Sequence, residues 1–218
     1  DLMHPYSRWA SKGQLMSGFA LYQANKYEEA IFALNKFINL NPNDRNLDYA
    51  FYLKGYCYYE RMNEVSRDQV IAKKAIQTFN ELKNKFPTSK YSLKAVNHIK
   101  LLNNQLAGYE MNVGKFYQSR NKFLAAILRY KTILKRHKNS AQIPESLYRI
   151  LECYISIGLQ EQAIKVASII KYNFPNSIWY DQTIKTIKSS NIEISQLEKS
   201  QKNNEVDLEI VDFENFDF

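Results

Sequence analysis

The chain has 218 residues with only six glycines and five prolines, and no β-branched alternating runs, so a sheet-based domain is excluded and an all-α fold expected. Its formal net charge of +8 is uneven: residues 193–218 hold eight acids against Lys199 and Lys202, which leaves +14 on residues 1–192. No stretch of about 20 apolar residues exists to cross a membrane, and there is no signal peptide. The lysines follow helix surface positions without a run of five like charges, so nucleic acid is not the expected partner.

The first segment, HPYS at His4 to Ser7, has the form of a proline stop followed by a serine cap. Because Asp1 is not a starting methionine, the chain reads as a fragment lacking earlier repeat material and any targeting segment. Four copies of one pattern follow, YEEAI at Tyr27–Ile31, AKKAI at Ala72–Ile76, FLAAI at Phe123–Ile127 and QEQAI at Gln160–Ile164. Twelve residues beyond Ala30, Ala75, Ala125 and Ala163 stand Pro42, Pro87, His137 and Pro175. Proline has no N–H and clashes with the preceding turn, so it marks the end of each second helix. The pairs Asn43-Asp44, Thr88-Ser89, Asn139-Ser140 and Asn176-Ser177 then offer oxygens to the unpaired N–H groups opening the next helix. Gly18 lies twelve residues before Ala30 where two helices would cross closely, and Gly55 holds the comparable place in the next unit.

This resembles the tetratricopeptide (TPR) pattern, and the resemblance implies helical hairpins stacked in a superhelix. The units run approximately over 7–42, 46–87, 90–138 and 140–175, with a terminal helix to residue 192. An acidic tail follows over 193–218, a segment with little means of burying its apolar residues alone. The alanine steps of 45, 50 and 38 residues exceed the usual repeat of about 34, so insertions are expected. ERMNEVSRDQVI, between Tyr59 and Ala72, reads as a longer loop with an extra helical turn. Leu93, Val96, Ile99, Leu102, Leu106 and Tyr109 continue one apolar stripe, so Tyr91–Ser119 is one long helix or two with a bend near Gly108. Leu106–Arg136 forms a hairpin whose first helix buries Leu106, Tyr109, Val113, Phe116 and Tyr117. Its second helix buries Phe123, Ala126, Ile127, Tyr130, Ile133 and Leu134, across a polar turn at Ser119, Arg120 and Asn121.

Catalytic constellations are missing. His4, His98 and His137 are scattered, with His98 on the polar side of its helix and so expected at the surface. No phosphate loop, nucleophile elbow or H-E-x-x-H motif occurs, and no metal or cofactor site is expected. Cys57 and Cys153 lie a whole repeat apart, beyond disulfide reach, and read as buried free thiols. A binding protein is therefore expected, its concave face lined by first helices. Tyr49, Tyr52 and Tyr56 are the groove candidates, since tyrosine offers wide contact area and a polar tip at low entropic cost.

A more specific likeness rests on FINLNPNDRNLDYAFYLKGYCYYE from Phe37, P-x-S-x-Y at Pro87–Tyr91, LAxxE at Leu106–Glu110 and RxxxxAAIxRxxxIL at Arg120–Leu134. Over roughly Pro5–Pro175 the chain resembles the BamD family, lipoproteins of the bacterial outer-membrane β-barrel assembly machinery. The resemblance implies a non-enzymatic protein at the periplasmic face of the outer membrane, anchored by lipid on an N-terminal cysteine that this chain does not contain. It implies as partners the central, BamA-type barrel assembly protein through its barrel-proximal POTRA domain, other lipoproteins of the complex, and unfolded outer-membrane protein substrates. The POTRA contact falls to Arg129, with Glu110, Tyr109, Tyr117 and Arg120 beside it. Arg129 also lies four residues after Ala125, where the other units carry Leu34, Phe79 and Ala167, so an internal ion pair with Glu110 or Glu152 is the competing reading. The functional alternative is a periplasmic TPR adaptor of another cell-envelope complex.

Overall fold

The computed structural model describes residues 8–64 and 69–190, with the side chains of 8 and 62–64 left aside. The HPYS segment and the acidic tail 193–218 lie outside the described residues. Among those described, every regular element is a helix: α1 (Arg8–Gln23), α2 (Tyr27–Leu40), α3 (Leu47–Glu64), α4 (Gln69–Lys85), α5 (Lys90–Gln118), α6 (Phe123–Arg136), α7 (Ile143–Ser156), α8 (Gln160–Asn173) and α9 (Ile178–Ser189). They are TPR-type hairpins packed in consecutive order. Two compact units meet in sequence at Leu102 and Asn103. In the first, α1 packs on α2, α2 on α3 and α3 on α4; in the second, α6 packs on α7, α7 on α8, and α9 closes on both α7 and α8.

The chain reverses by one device used three times. Asn25, Asn121 and Gly158 adopt φ of 58°, 58° and 79°, the left-handed conformation that asparagine and glycine tolerate best. The residue after each, Lys26, Lys122 and Leu159, donates its N–H to a carbonyl five residues back, on Leu21, Tyr117 and Tyr154. This Schellman-type closure satisfies the helix end and turns the chain at once. The expected helix starts are capped alike: Asp44, Ser89, Ser140 and Ser177 accept the N–H of Asn46, Tyr91, Gln142 and Trp179 at 2.8, 3.1, 3.2 and 3.2 Å.

Inside the first three hairpins the contact that sets the helix approach is a glycine under a large side chain. A Cβ on Gly18 would come within 2.8 Å of Leu34, and one on Gly55 within 2.6 Å of the Phe79 ring. Gly114 stands in the same relation to Tyr130, and Leu34, Phe79 and Tyr130 are fully buried. In the last hairpin the sizes are exchanged: Leu151 takes the glycine position and Ala167 the opposite one, both buried in one core.

These pairs correct the register of the third unit. Ala126, not Ala125, is the buried counterpart of Ala30, Ala75 and Ala163. Tyr130 rather than Arg129 therefore matches Leu34, Phe79 and Ala167, and Arg129 falls one residue off the core line. Lys138, not His137, stands where the other units have proline. The helix ends the same way regardless, because the His137 N–H closes on the Ile133 carbonyl as Asn41 does on Phe37 and Phe174 on Ile170.

Two further expectations change, and one open alternative resolves in favour of a single long helix. Within ERMNEVSRDQVI, α3 continues to Glu64 and α4 opens at Gln69, so helix takes both ends of the segment, while 65–68 lie outside the described residues. The long helix is unbroken, Lys90–Gln118, with no end at Gly108. Its buried stripe in the second unit is Leu106, Ala107, Glu110, Met111 and Gly114, so Tyr109 and Phe116, expected inside, are exposed. The stripe rotates because Gly114 must face α6 to receive Tyr130.

Glycine substitutions separate these roles. Alanine normally stabilises a helix interior by about 0.5–1 kcal/mol over glycine. Gly13→Ala and Gly108→Ala, with open space around them, should raise the thermal midpoint by a few degrees. Gly55→Ala and Gly114→Ala should lower it, since displacing a buried ring costs about 1–3 kcal/mol. Calorimetric melts of the four variants check the opposite signs.

Candidate functional site

The first unit brings its tyrosines together on one aromatic face. Residues 49, 52, 56 and 59 recur at steps of three and four along α3, which puts them on one side of the helix. Tyr49 and Tyr52 meet Tyr91 of α5 at ring separations of 5.2 and 5.3 Å, Tyr56 stacks on Tyr52 at 6.0 Å and Tyr22 of α1 meets Tyr56 edge-on at 5.9 Å. The three groove candidates are thus adjacent and half-buried, each committed to packing along one edge. Burial pushes the Tyr49 and Tyr52 phenols up; a hydrogen bond to Glu60 pushes Tyr56 further, with burial adding to it. All three are neutral hydroxyls at ordinary pH; the Tyr56 hydroxyl is committed to Glu60 and the Tyr52 hydroxyl pairs with His98.

His98 belongs to this face, contrary to its expected place at the surface. Its ring stacks on Phe79 at 5.4 Å with 13° between planes, and Tyr52, Tyr56 and Tyr59 surround it at 5.9, 5.3 and 5.1 Å. Nε2 pairs with the Tyr52 hydroxyl at 3.2 Å, while Nδ1 is buried without a partner. The expectation failed because histidine was read as polar; neutral imidazole is a flat ring that packs among aromatics.

The second unit holds the motif residues. Arg129 Nη1 donates to Glu110 Oε2 at 3.3 Å, from α6 to α5. The arginine side chain is 44% exposed and the glutamate side chain 11%, so a sheltered carboxylate holds a guanidinium at the surface. Arg120 lies over the exposed Phe116 ring at 4.1 Å, a separate cation–π contact, and Tyr117 packs against the core. Tyr109, beside Glu110 in sequence, is exposed. The five motif residues therefore divide into one ion pair, one arginine–ring stack, one packing tyrosine and one open tyrosine.

Glu152, the other carboxylate considered for Arg129, is engaged elsewhere. It accepts from Arg149 Nη1 at 2.9 Å and Gln118 Nε2 at 3.1 Å, and Gln118 in turn accepts the Tyr130 hydroxyl at 2.8 Å. Arg149 also reaches Glu145, which pairs with Lys115 at 2.6 Å, and its guanidinium lies over Tyr148 and Trp179. Sequence reading missed this network. Its only local signal is the spacing of Glu145, Arg149 and Glu152 at four and three residues on α7. Cys57 and Cys153 are buried and free, and burial pushes both thiols up to about 12, which leaves them protonated and unreactive.

His98 supplies a pH dependence. Burial lowers its pKa, with Glu60 opposing, so the folded state binds the proton more weakly than the unfolded chain. Its contribution is fully present above the unfolded value of about 6.5 and is lost as pH falls from there through the folded pKa. Comparing denaturant unfolding of the wild type and His98→Phe between pH 7.5 and 5 should show the wild type losing stability more steeply, with equal slopes excluding a buried neutral His98.

Comparison with known proteins places these features in a family. A family model described as "YfiO: Outer membrane lipoprotein" matches residues 1–169. The protein named outer membrane protein assembly factor BamD of Caulobacter vibrioides is 39% identical over 180 residues, which cover 83% of this chain and 59% of that relative. The protein of the same name from Rickettsia prowazekii is 36% identical over 85% of this chain and 74% of its own length. The one from Neisseria meningitidis serogroup A is 31% identical over 79% and 68%. The chain thus spans about six-tenths to three-quarters of these relatives, and the aligned stretch includes both the tyrosine face and the Arg129–Glu110 pair. The chain belongs to the YfiO family of outer membrane lipoproteins.

Proposed function

We propose that this chain is a non-enzymatic scaffold in the assembly of outer-membrane β-barrel proteins, working at the periplasmic face of the outer membrane from an N-terminal lipid anchor. Its relatives carry the name assembly factor; the face of neutral tyrosines in the first unit and the surface guanidinium in the second are each chemistry for binding. The α5–α6 hairpin binds the barrel-proximal POTRA domain of the central assembly protein. One observation carries this reading: Glu110, itself sheltered, holds the half-exposed Arg129 in a fixed place. A guanidinium has five N–H donors and Glu110 uses one, so the group is pre-oriented with donors left for a partner's carboxylate or carbonyl. Preorganisation of this kind lowers the ordering cost of binding. The Tyr49–Tyr52–Tyr56 face of the first unit receives unfolded barrel segments, and the other lipoproteins of the complex dock elsewhere on the same chain.

Calorimetric titration with the barrel-proximal POTRA domain of the same organism's assembly protein tests the proposal. Arg129→Glu should weaken binding by roughly 2 kcal/mol or more, about 30-fold. Arg129→Gln, which can still donate to the sheltered Glu110, should also weaken binding while moving the melt little, and so separates a lost contact from a lost fold. No binding by the unaltered chain would refute the partner, whereas tight binding indifferent to Arg129 would refute the site.

A further inference from the structure

Leu124, Leu128, Lys131 and Lys135 follow one another along α6 at steps of four, three and four, which sets them on one stripe of the helix. Leu124 and Leu128 are each 60% exposed. At the basic end, Lys131 and Lys135 rim a small cleft of about 20 Å³, floored by Leu134, Leu147, Ile150, Tyr154, Val166 and Ile169 of α6, α7 and α8. That floor is almost wholly apolar, and room for about one water-sized group suits the end of one aliphatic side chain. α6 itself carries four bases and no acid. Two open leucines leading to a lysine-rimmed apolar cleft suit a segment that interleaves apolar side chains with carboxylates.

Residues 205–218, EVDLEIVDFENFDF, are such a segment: six acids, no base, and seven apolar residues from Val206 to Phe218. Their tether reaches. α9 ends at Ser189 on the same unit, packed on α7 and α8, which help floor the cleft. The fourteen residues 191–204 can span up to roughly 46 Å, about twice the 21 Å length of a fourteen-residue helix such as α6. We propose that residues 205–218 dock on the α6 stripe of their own chain, with an aliphatic side chain in the cleft and carboxylates against Lys131 and Lys135. The docked segment covers Leu124 and Leu128 and neutralises the most basic helix of the second unit.

Cleavage of the full chain by a glutamate-specific protease, followed by mass spectrometry at Glu205, Glu209 and Glu214, tests this at low salt. The wild type should be cut slowly there. Lys131→Glu/Lys135→Glu should be cut at least 10-fold faster, Lys131→Arg/Lys135→Arg at the wild-type rate, and 1 M salt should speed the wild type, since screening weakens exposed charge pairing. Leu208→Ser/Ile210→Ser, which leaves the helical body untouched, should also speed cleavage at the remaining sites. Equal rates in the wild type and both loss variants would overturn the docking, and protection that disappears on dilution would overturn its intramolecular form in favour of a neighbouring copy.

Discussion

The distance between the two helices of a hairpin is set where glycine faces a large side chain, and most other features of this protein follow from that approach. Gly18 under Leu34, Gly55 under Phe79 and Gly114 under Tyr130 let a bulky group fill the crossing with no void. Close packing makes such a contact unforgiving, because a methyl group added to a filled crossing has nowhere to go. Leu151 and Ala167, at the corresponding repeat positions of the last hairpin, are both buried with the sizes reversed, which fits a requirement on the pair: one small, one large, on either helix. Proline stops and serine caps bound the helices, while this complementary pair fixes how they lie together.

The identity of the large residue then decides the polar interior. Leucine and phenylalanine fill the first two crossings and ask for nothing more. Tyrosine in the third buries a hydroxyl, and a buried hydroxyl left unpaired costs about 1–3 kcal/mol. Gln118 satisfies it, Glu152 holds Gln118, Arg149 holds Glu152, and the arginine lies over Tyr148 and Trp179. One choice at a crossing thus links α5, α6, α7 and α9. The same demand accounts for charged residues at the half-buried positions of α7, where composition alone would place a solvated face.

Local chemistry was readable from the residues. The four caps fall where a serine or aspartate follows the helix stop, and the all-α class follows from periodicity and sparse glycine. Misreadings arose where a local signal was degenerate. The adjacent alanines 125 and 126 both fit the repeat, and only the fit of Tyr130 to Gly114 distinguishes them. ERMNEVSRDQVI is polar, but neither of its ends holds a glycine or proline, so α3 runs on to Glu64 and α4 opens as early as Gln69. His98 could be placed only by knowing that Phe79 and three tyrosines from other helices converge on it. The ion pair of Arg129 with Glu110 was foreseeable as one of two options; its exposure was not, because exposure depends on the register.

That register bears on why an arginine is found there. At the core position of the repeat, the charge would need a buried partner, and losing either member would cost about 3–5 kcal/mol. Structural necessity would then account for both residues. One residue off the core line, Arg129 is half exposed, and a lysine or glutamine could still donate to the sheltered Glu110 carboxylate without offering the guanidinium's planar fork. Tyr130, whose ring the hairpin does need, stands immediately beside it. A planar donor group held by a sheltered carboxylate, next to a rigidly buried tyrosine, is what recognition asks of a surface: a fixed position with unspent hydrogen bonds. That freedom of choice at position 129 is the ground for the binding role proposed for the arginine.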